Sequence, residues 1–156
     1  MIKNIVIDCD GVLTDGKKIV GISGHRELIA FHSRDNEAVR QLISDGYRVI
    51  IVTASRFPGI FAYWRKYNAE VFHLKDKVRL NTVAGLDWSE TVGVGDDVMD
   101  QGFLHSCRFA YVPADAHPDM KKEFTVLKTK GGEGILSEII HHLAGINAVN
   151  GTMSIT

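Results

Sequence analysis

Asp8-Cys9-Asp10-Gly11-Val12-Leu13-Thr14-Asp15-Gly16 follows directly on the apolar run Ile5-Val6-Ile7. Two carboxylates two residues apart, at the carboxyl end of a buried strand, point into the crevice where open α/β sheets bind ligands. Burying unpaired carboxylates is costly, so the placement calls for a cation between them. Gly11 permits a tight backbone turn that bares N–H groups able to hold an anion. A carboxylate nucleophile, a second carboxylate as acid and base, and a hard cation are the parts of aspartyl-phosphate chemistry. The D-x-D-G pattern alone also fits a calcium loop, a sugar-nucleotide site or a solvated turn.

Three further segments supply what phosphoryl transfer needs. Ile50-Ile51-Val52-Thr53-Ala54-Ser55 reads as a strand ending in a hydroxyl, with backbone N–H groups at Ala54 and Ser55 able to bind phosphate oxygens. Lys77, in Leu74-Lys75-Asp76-Lys77, follows another strand signal and offers a fixed positive charge. Val94-Gly95-Asp96-Asp97 adds carboxylates that could complete an oxygen-rich Mg²⁺ site. Singly, each has an ordinary reading, since a strand-end Thr caps helices and a Lys is usually solvated. Together, in this order and each at a strand end, they point to a phosphotransfer site.

These residues need a sheet to carry them. Short β-branched runs at 5–7, 49–52 and 91–94, with weaker ones at 70–72, 109–112 and 124–127, alternate with helical patterns. Ala38, Val39, Leu42 and Ile43 keep helical spacing, and Gly46 stands where that helix should end. Ile60, Phe61 and Trp64, after Pro58, form a second stripe. Val78, Val83 and Ala84 suggest a third, and Ile135, Ile139, Ile140 and Leu143 a last one. The alternation predicts an α/β fold with a doubly wound parallel sheet. Residues 17–31, apolar on both sides of Gly21-Ile22-Ser23-Gly24, predict a projecting β-hairpin. No interval has room for a cap domain, so the site should be open in the monomer. One domain is expected over 1–144, with 145–156 as a mobile tail.

The bulk composition narrows the class. The 156 residues are 45% hydrophobic and 24% charged, an ordinary globular balance. A formal charge of −1 leaves no electrostatic footprint for nucleic acid or an anionic membrane. No run approaches the ~18–20 apolar residues that span a bilayer. Met1-Ile2-Lys3-Asn4 leads straight into a strand, so no signal peptide is expected. Cys9 and Cys107 are too few for a disulfide framework, which suits a cytoplasmic protein. Cys9 is expected to pack in the core, since neighbouring Asp residues disfavour a thiolate. Adjacent His141-His142 cannot form an i, i+4 ligand pair. His117-Pro118 reads as a loop former, and Tyr63, Trp64 and Tyr67 as core or subunit interface.

The order of these motifs resembles the haloacid dehalogenase-like phosphatase superfamily, and more closely its capless branch of sugar-acid phosphatases. That branch contains octulosonate 8-phosphate and nononate 9-phosphate phosphatases and the phosphatase-like module of some acylneuraminate cytidylyltransferases. The resemblance covers nearly the whole chain. It is carried by residues 8–16, Phe31 with Arg34-Asp35, Asp76-Lys77, Gly95-Asp96-Asp97, Ala114-Asp115-Ala116-His117-Pro118 and Gly131-Gly132-Glu133-Gly134. It implies that Asp8 attacks phosphorus and that Asp10 protonates the leaving oxygen, then activates water. It implies Mg²⁺ on Asp8, the Asp10 carbonyl and Asp96, with Thr53 and Lys77 on the phosphoryl oxygens. Asp97 is assigned to orienting Lys77 or a metal-bound water.

Two departures bear on substrate. Ala54-Ser55-Arg56 replaces the branch's usual Gly followed by Arg or Glu, and Glu133 stands where octulosonate enzymes tend to carry Arg. The second is closer to the nononate type. The reaction expected is hydrolysis of a phosphorylated octulosonate- or nononate-type keto-sugar acid. The alternatives are the same chemistry on another small ester, or a non-catalytic oligomerisation module. The resemblance also implies a homotetramer, with Ile19, Val20, Ile22 and Ile29 of the hairpin at the interface.

Overall fold

A computed structural model describes residues 1–153. Six parallel strands form the main sheet: β1 (Asn4–Asp8), β4 (Arg48–Thr53), β5 (Glu70–His73), β6 (Thr91–Val94), β7 (Phe109–Val112) and β8 (Thr125–Val126), in the order β5-β4-β1-β6-β7-β8. The chain winds outward from β1 through β4 to β5, then returns to place β6 on the other flank of β1. The switch point of the sheet therefore falls at β1, where such folds bind ligands. Asp8 pairs in register with Val52, and Ile7 with both Ile51 and Val94. Asp8, Thr53 and Asp96 consequently emerge side by side at the carboxyl edge. The expected α/β doubly wound sheet is the fold observed.

Alternation along the strands feeds two apolar layers. Ile5, Ile7, Val49 and Ile51 face α1 (Ser33–Ser44), α2 (Pro58–Lys66) and α6 (Leu136–Met153), packing with Val39, Leu42, Trp64 and Ile139. Val6, Ile50 and Val52 face the other way, onto Leu80, Phe103, Leu104 and Met120. Trp64 is fully buried, and Phe31, Tyr63 and Trp64 meet with ring centroids 4.7 to 5.1 Å apart. This aromatic group is core. Cys9 lies in the same layer, and burial followed by the Asp10 and Asp8 charges pushes its thiol well up.

Several elements differ from expectation. The third helix is only a turn over Lys77–Arg79 followed by α3 (Leu80–Val83), and Val78 and Val83 remain exposed. Two six-residue helices, α4 (Gln101–Ser106) and α5 (Pro118–Glu123), are too short for periodicity to reveal. His117 starts α5, its Nδ1 accepting from Asp119 N at 3.2 Å. The stretch read as a tail from residue 145 is helical as far as Met153, because α6 continues through Gly145. Residues 154–156 lie outside the described residues. The His142 ring lies tilted against Tyr111 with centroids 4.9 Å apart, and neither His141 nor His142 joins a metal-ligand cluster among the described residues.

The hairpin is present, with β2 (Ile19–Val20) antiparallel to β3 (Arg26–Leu28). Ile19, Val20, Ile22 and Leu28 are exposed on it. Ile29 is not part of that outward set; it packs with Phe31 onto the chain's own core. No helix among the described residues is long and apolar enough to cross a membrane.

Asp35 ties α1 to the start of α6. One carboxylate oxygen accepts from Leu136 N at 3.0 Å, while Oδ2 is buried without a partner. Burial pushes its carboxyl up to about 6, against the pull of that backbone hydrogen bond. The folded protein thus keeps a proton that the unfolded chain loses near pH ~4. Stability from this group is full below that pH and falls as pH rises to about 6, by up to about 3 kcal/mol. Asp35→Asn should flatten this part of the pH–stability profile. Urea unfolding at about pH 4 and about pH 7 checks it, an unchanged slope counting against the assignment.

Candidate active site

A cavity of about 400 Å³ opens at the carboxyl edge of the sheet. Asp8, Asp10, Thr53, Ala54, Ser55, Lys77, Asp96 and Asp97 all line it, together with Gly16, Lys18, Met99 and Asp100. All eight residues singled out from the sequence therefore share one cavity. Asp8 ends the central strand and is 6% exposed. After it the chain turns at Gly11, whose φ of +86° favours glycine. A Cβ there would lie 1.7 Å from Asp96 Oδ2, so the Asp96 carboxylate packs directly on the Gly11 backbone.

Lys77 is buried between two acids. Its Nζ donates to Asp8 Oδ1 at 2.7 Å and to Asp100 Oδ1. The other Asp100 oxygen accepts from the backbone N–H groups of Asp96 and Asp97, at 2.9 and 3.3 Å. Asp100 was missed by the sequence reading, and it makes the Lys77 contact that was one of the two roles assigned there to Asp97. Asp97 instead accepts from Val98 N at 2.7 Å and caps the turn Val98–Asp100. It does not touch Lys77; a short side chain busy capping its own turn cannot also reach across the site. The spacing Asp96-Asp97-x-x-Asp100 was the available signal, a capping pattern before a short helix.

The charges do not balance. Burial, then the Asp100 charge, raises the Asp8 carboxyl well above its usual range despite Lys77. Asp96 is pushed up to about 7, chiefly by burial and then by the Asp100 and Asp97 charges, with a hydrogen bond to Asp8 opposing. Burial pulls the Lys77 ammonium down, but the Asp8 and Asp100 charges outweigh it and its pKa is raised. One oxygen from each of Asp8, Asp96 and Asp100 lies within 4.8 Å of the others. Both Asp100 oxygens are already engaged, and Lys77 takes Asp8 Oδ1, so the remaining Asp8 and Asp96 carboxylate oxygens are the ones that could accept a further cation. Hard carboxylate oxygens at this spacing fit Mg²⁺ or a similar divalent ion.

Thr53 is 1% exposed, and its hydroxyl oxygen accepts from Ser55 N at 3.0 Å, closing the turn behind Ala54. Its hydroxyl hydrogen remains to donate to a bound anion. Asp10 is held through its side chain by Arg26 of the hairpin, at 2.8 and 3.2 Å. The sequence reading did not include Arg26.

The later motifs brace these loops from behind. His117 N donates to Asp96 O at 2.9 Å, Gly131 N to Asp115 Oδ1 at 2.9 Å, and Gly132 N to Val12 O at 2.9 Å. A Cβ on Gly131 would stand 1.9 Å from the Gly11 carbonyl oxygen. Gly131→Ala should therefore displace the nucleophile loop, lowering stability by about 1–3 kcal/mol and turnover with it. Thermal melting and phosphate release on the same preparation check this; an undisturbed variant would deny the bracing. Glu133 is exposed and does not line the cavity.

No protein-family model matches the chain. The 3-deoxy-D-manno-octulosonate 8-phosphate phosphatase of Haemophilus influenzae is 28% identical over 146 residues, spanning 88% of this chain and 80% of the relative. The cobalt-bound structure of the Haemophilus influenzae enzyme matches with a TM-score of 0.82 at 28% identity, covering 88% of this chain and 84% of that one. In both sequence and fold the chain is similar to this phosphatase. A Moraxella catarrhalis octulosonate 8-phosphate phosphatase, solved with a magnesium ion, a phosphate ion and a KDO molecule, has the same fold. It matches with a TM-score of 0.84 at 20% identity, over 97% of this chain and 93% of that one.

Proposed function

We propose that this protein is a phosphatase of the haloacid dehalogenase type, which hydrolyses the phosphate ester of an octulosonate- or nononate-type keto-sugar acid through an aspartyl phosphate on Asp8. The observation that carries the reading is the meeting of Asp8, Thr53, Lys77 and Asp96 in one cavity at adjacent strand ends. Asp8 attacks phosphorus, and the bond to the sugar oxygen breaks as Asp10 gives that oxygen a proton. Asp10 then takes a proton from water, whose oxygen attacks phosphorus. The bond to Asp8 breaks, inorganic phosphate leaves, and the carboxylate is restored. Lys77 and the Thr53 hydroxyl hold the phosphoryl oxygens in line. Mg²⁺ on Asp8, the Asp10 carbonyl and Asp96 would neutralise charge as the dianionic ester approaches.

The substrate class is supported by the octulosonate phosphatase relatives, and the metal by the paired Asp8 and Asp96 carboxylates. Ser55 lines the cavity beside Thr53, so it is the residue we expect to meet the leaving group. Two cysteines without a disulfide suit a reducing cytoplasm. The exposed Ile19, Val20, Ile22 and Leu28 support a homotetramer built on the hairpins.

A phosphate-release screen over phosphorylated sugar acids, with Mg²⁺ and after chelation, tests the proposal. Turnover of an octulosonate or nononate phosphate that needs Mg²⁺ is expected. Full activity in excess chelator, with metal content verified, would remove the metal from the mechanism. Preference for an unrelated ester would displace the substrate. Ile19→Asp with Ile22→Asp should shift the protein to smaller species by light scattering, and an unchanged wild-type monomer would defeat the tetramer.

A further inference from the structure

Asp10 has one charged partner among the described residues, Arg26 on β3. Nη2 donates to Oδ1 at 2.8 Å and Nη1 to Oδ2 at 3.2 Å, a two-pronged grip that fixes the plane of the carboxylate. The Arg26 side chain is 9% exposed, and its guanidinium lies 5.5 Å from the centre of the Phe57 ring. Arg26 does not line the cavity, whereas Asp10 does. The guanidinium therefore approaches Asp10 from behind, away from where an ester would sit.

The arrangement has a cost. Arg26 Nε is buried with no hydrogen-bond partner, which lowers stability rather than raising it. A side chain kept there for stability alone would find a partner for that group. A carboxylate that serves first as acid and then as base must face the leaving oxygen and later a water from one fixed position. Within its own loop the Asp10 carboxylate has only the Thr14 hydroxyl, which donates to Oδ1 at 3.5 Å and leaves the plane of the group free to turn. A planar, permanently charged fork supplies it more fully than a lysine's point charge, which attracts the carboxylate without fixing its plane.

We infer that Arg26 is a positioning residue for the reaction, holding Asp10 in its working orientation from the hairpin of the same chain. The hairpin is thus more than an oligomerisation surface; its inner edge completes the acid/base. This rests on the acid/base role proposed for Asp10, and the test separates the two.

The test is a double-mutant cycle on p-nitrophenyl phosphate, whose leaving group needs no proton, so that the assay reads Asp10 acting on water. Arg26→Gln should lower kcat by about tenfold to a hundredfold with KM changed by less than about twofold. In an Asp10→Asn background the same substitution should cost nothing further, because the group it positions is gone. Arg26→Lys should recover part of the loss, and it serves as the cycle's variant if Arg26→Gln does not fold by thermal melting. Equal losses in both backgrounds would mark a structural role and overturn the inference. So would a change confined to KM, or a kcat unchanged or raised. If Asp10→Asn itself leaves kcat intact, it is the acid/base assignment that fails.

Discussion

Asp8→Asn is expected to lower phosphate release by about four orders of magnitude or more, because an amide cannot form the acyl phosphate. The fold should survive. Asp8 is buried with its carboxyl already pushed up by burial and by Asp100, so a neutral side chain of the same shape relieves repulsion at the end of β1. Lys77 keeps Asp100 as a partner in that variant. Circular dichroism and thermal melting should therefore match the parent or exceed it while turnover vanishes. Retention of appreciable activity with p-nitrophenyl phosphate would show that the nucleophile lies elsewhere.

The largest loss of stability should come from Lys77→Met. The substitution leaves Asp8 and Asp100 buried without their shared cation, and breaking a buried pair by removing one member costs about 3–5 kcal/mol. Lowering the pH should shrink the deficit, since the folded variant gains by protonating carboxylates that the unfolded chain still holds ionised. Adding Asp100→Asn should recover part of it by removing one of the stranded charges. Activity should fall with Lys77→Met in either background, because phosphoryl oxygens lose their fixed positive partner. Urea unfolding of metal-free protein near neutral pH measures the first effect. A change of less than about 1 kcal/mol would mean that the triad of Asp8, Lys77 and Asp100 does not hold the site together.

Much of this site was legible in the chain because it is assembled from strand ends. A β-branched run announces a buried strand, and the residue just beyond it is bound to reach the carboxyl edge. Asp8, Thr53 and Asp96 each follow such a run, so their convergence was readable without a structure. Lys77 was readable for the same reason, one short turn after β5. Asp100 was not, because its position depends on a capping turn whose only mark is the spacing from Asp97. Arg26 was invisible for a different reason: nothing local says that a two-stranded ribbon folds its inner edge back onto the site. The same ribbon turned Ile29 inward and left Leu28 outside, a choice set by packing rather than by pattern. Helices α4 and α5 fall below the length at which periodicity can be seen, while α6 outruns Gly145 that a propensity argument takes for its end.

The most direct test of the account is to stop the reaction in acid during steady-state turnover of p-nitrophenyl phosphate and to locate the phosphoryl group on the protein. Reduction with borohydride before digestion converts a phosphorylated aspartate into homoserine, which mass spectrometry then assigns to a position. Homoserine at residue 8, absent from an Asp8→Asn control and from protein without substrate, is the predicted result. Modification at Asp10 or Asp96 instead, or turnover with no trapped intermediate at any aspartate, would contradict it.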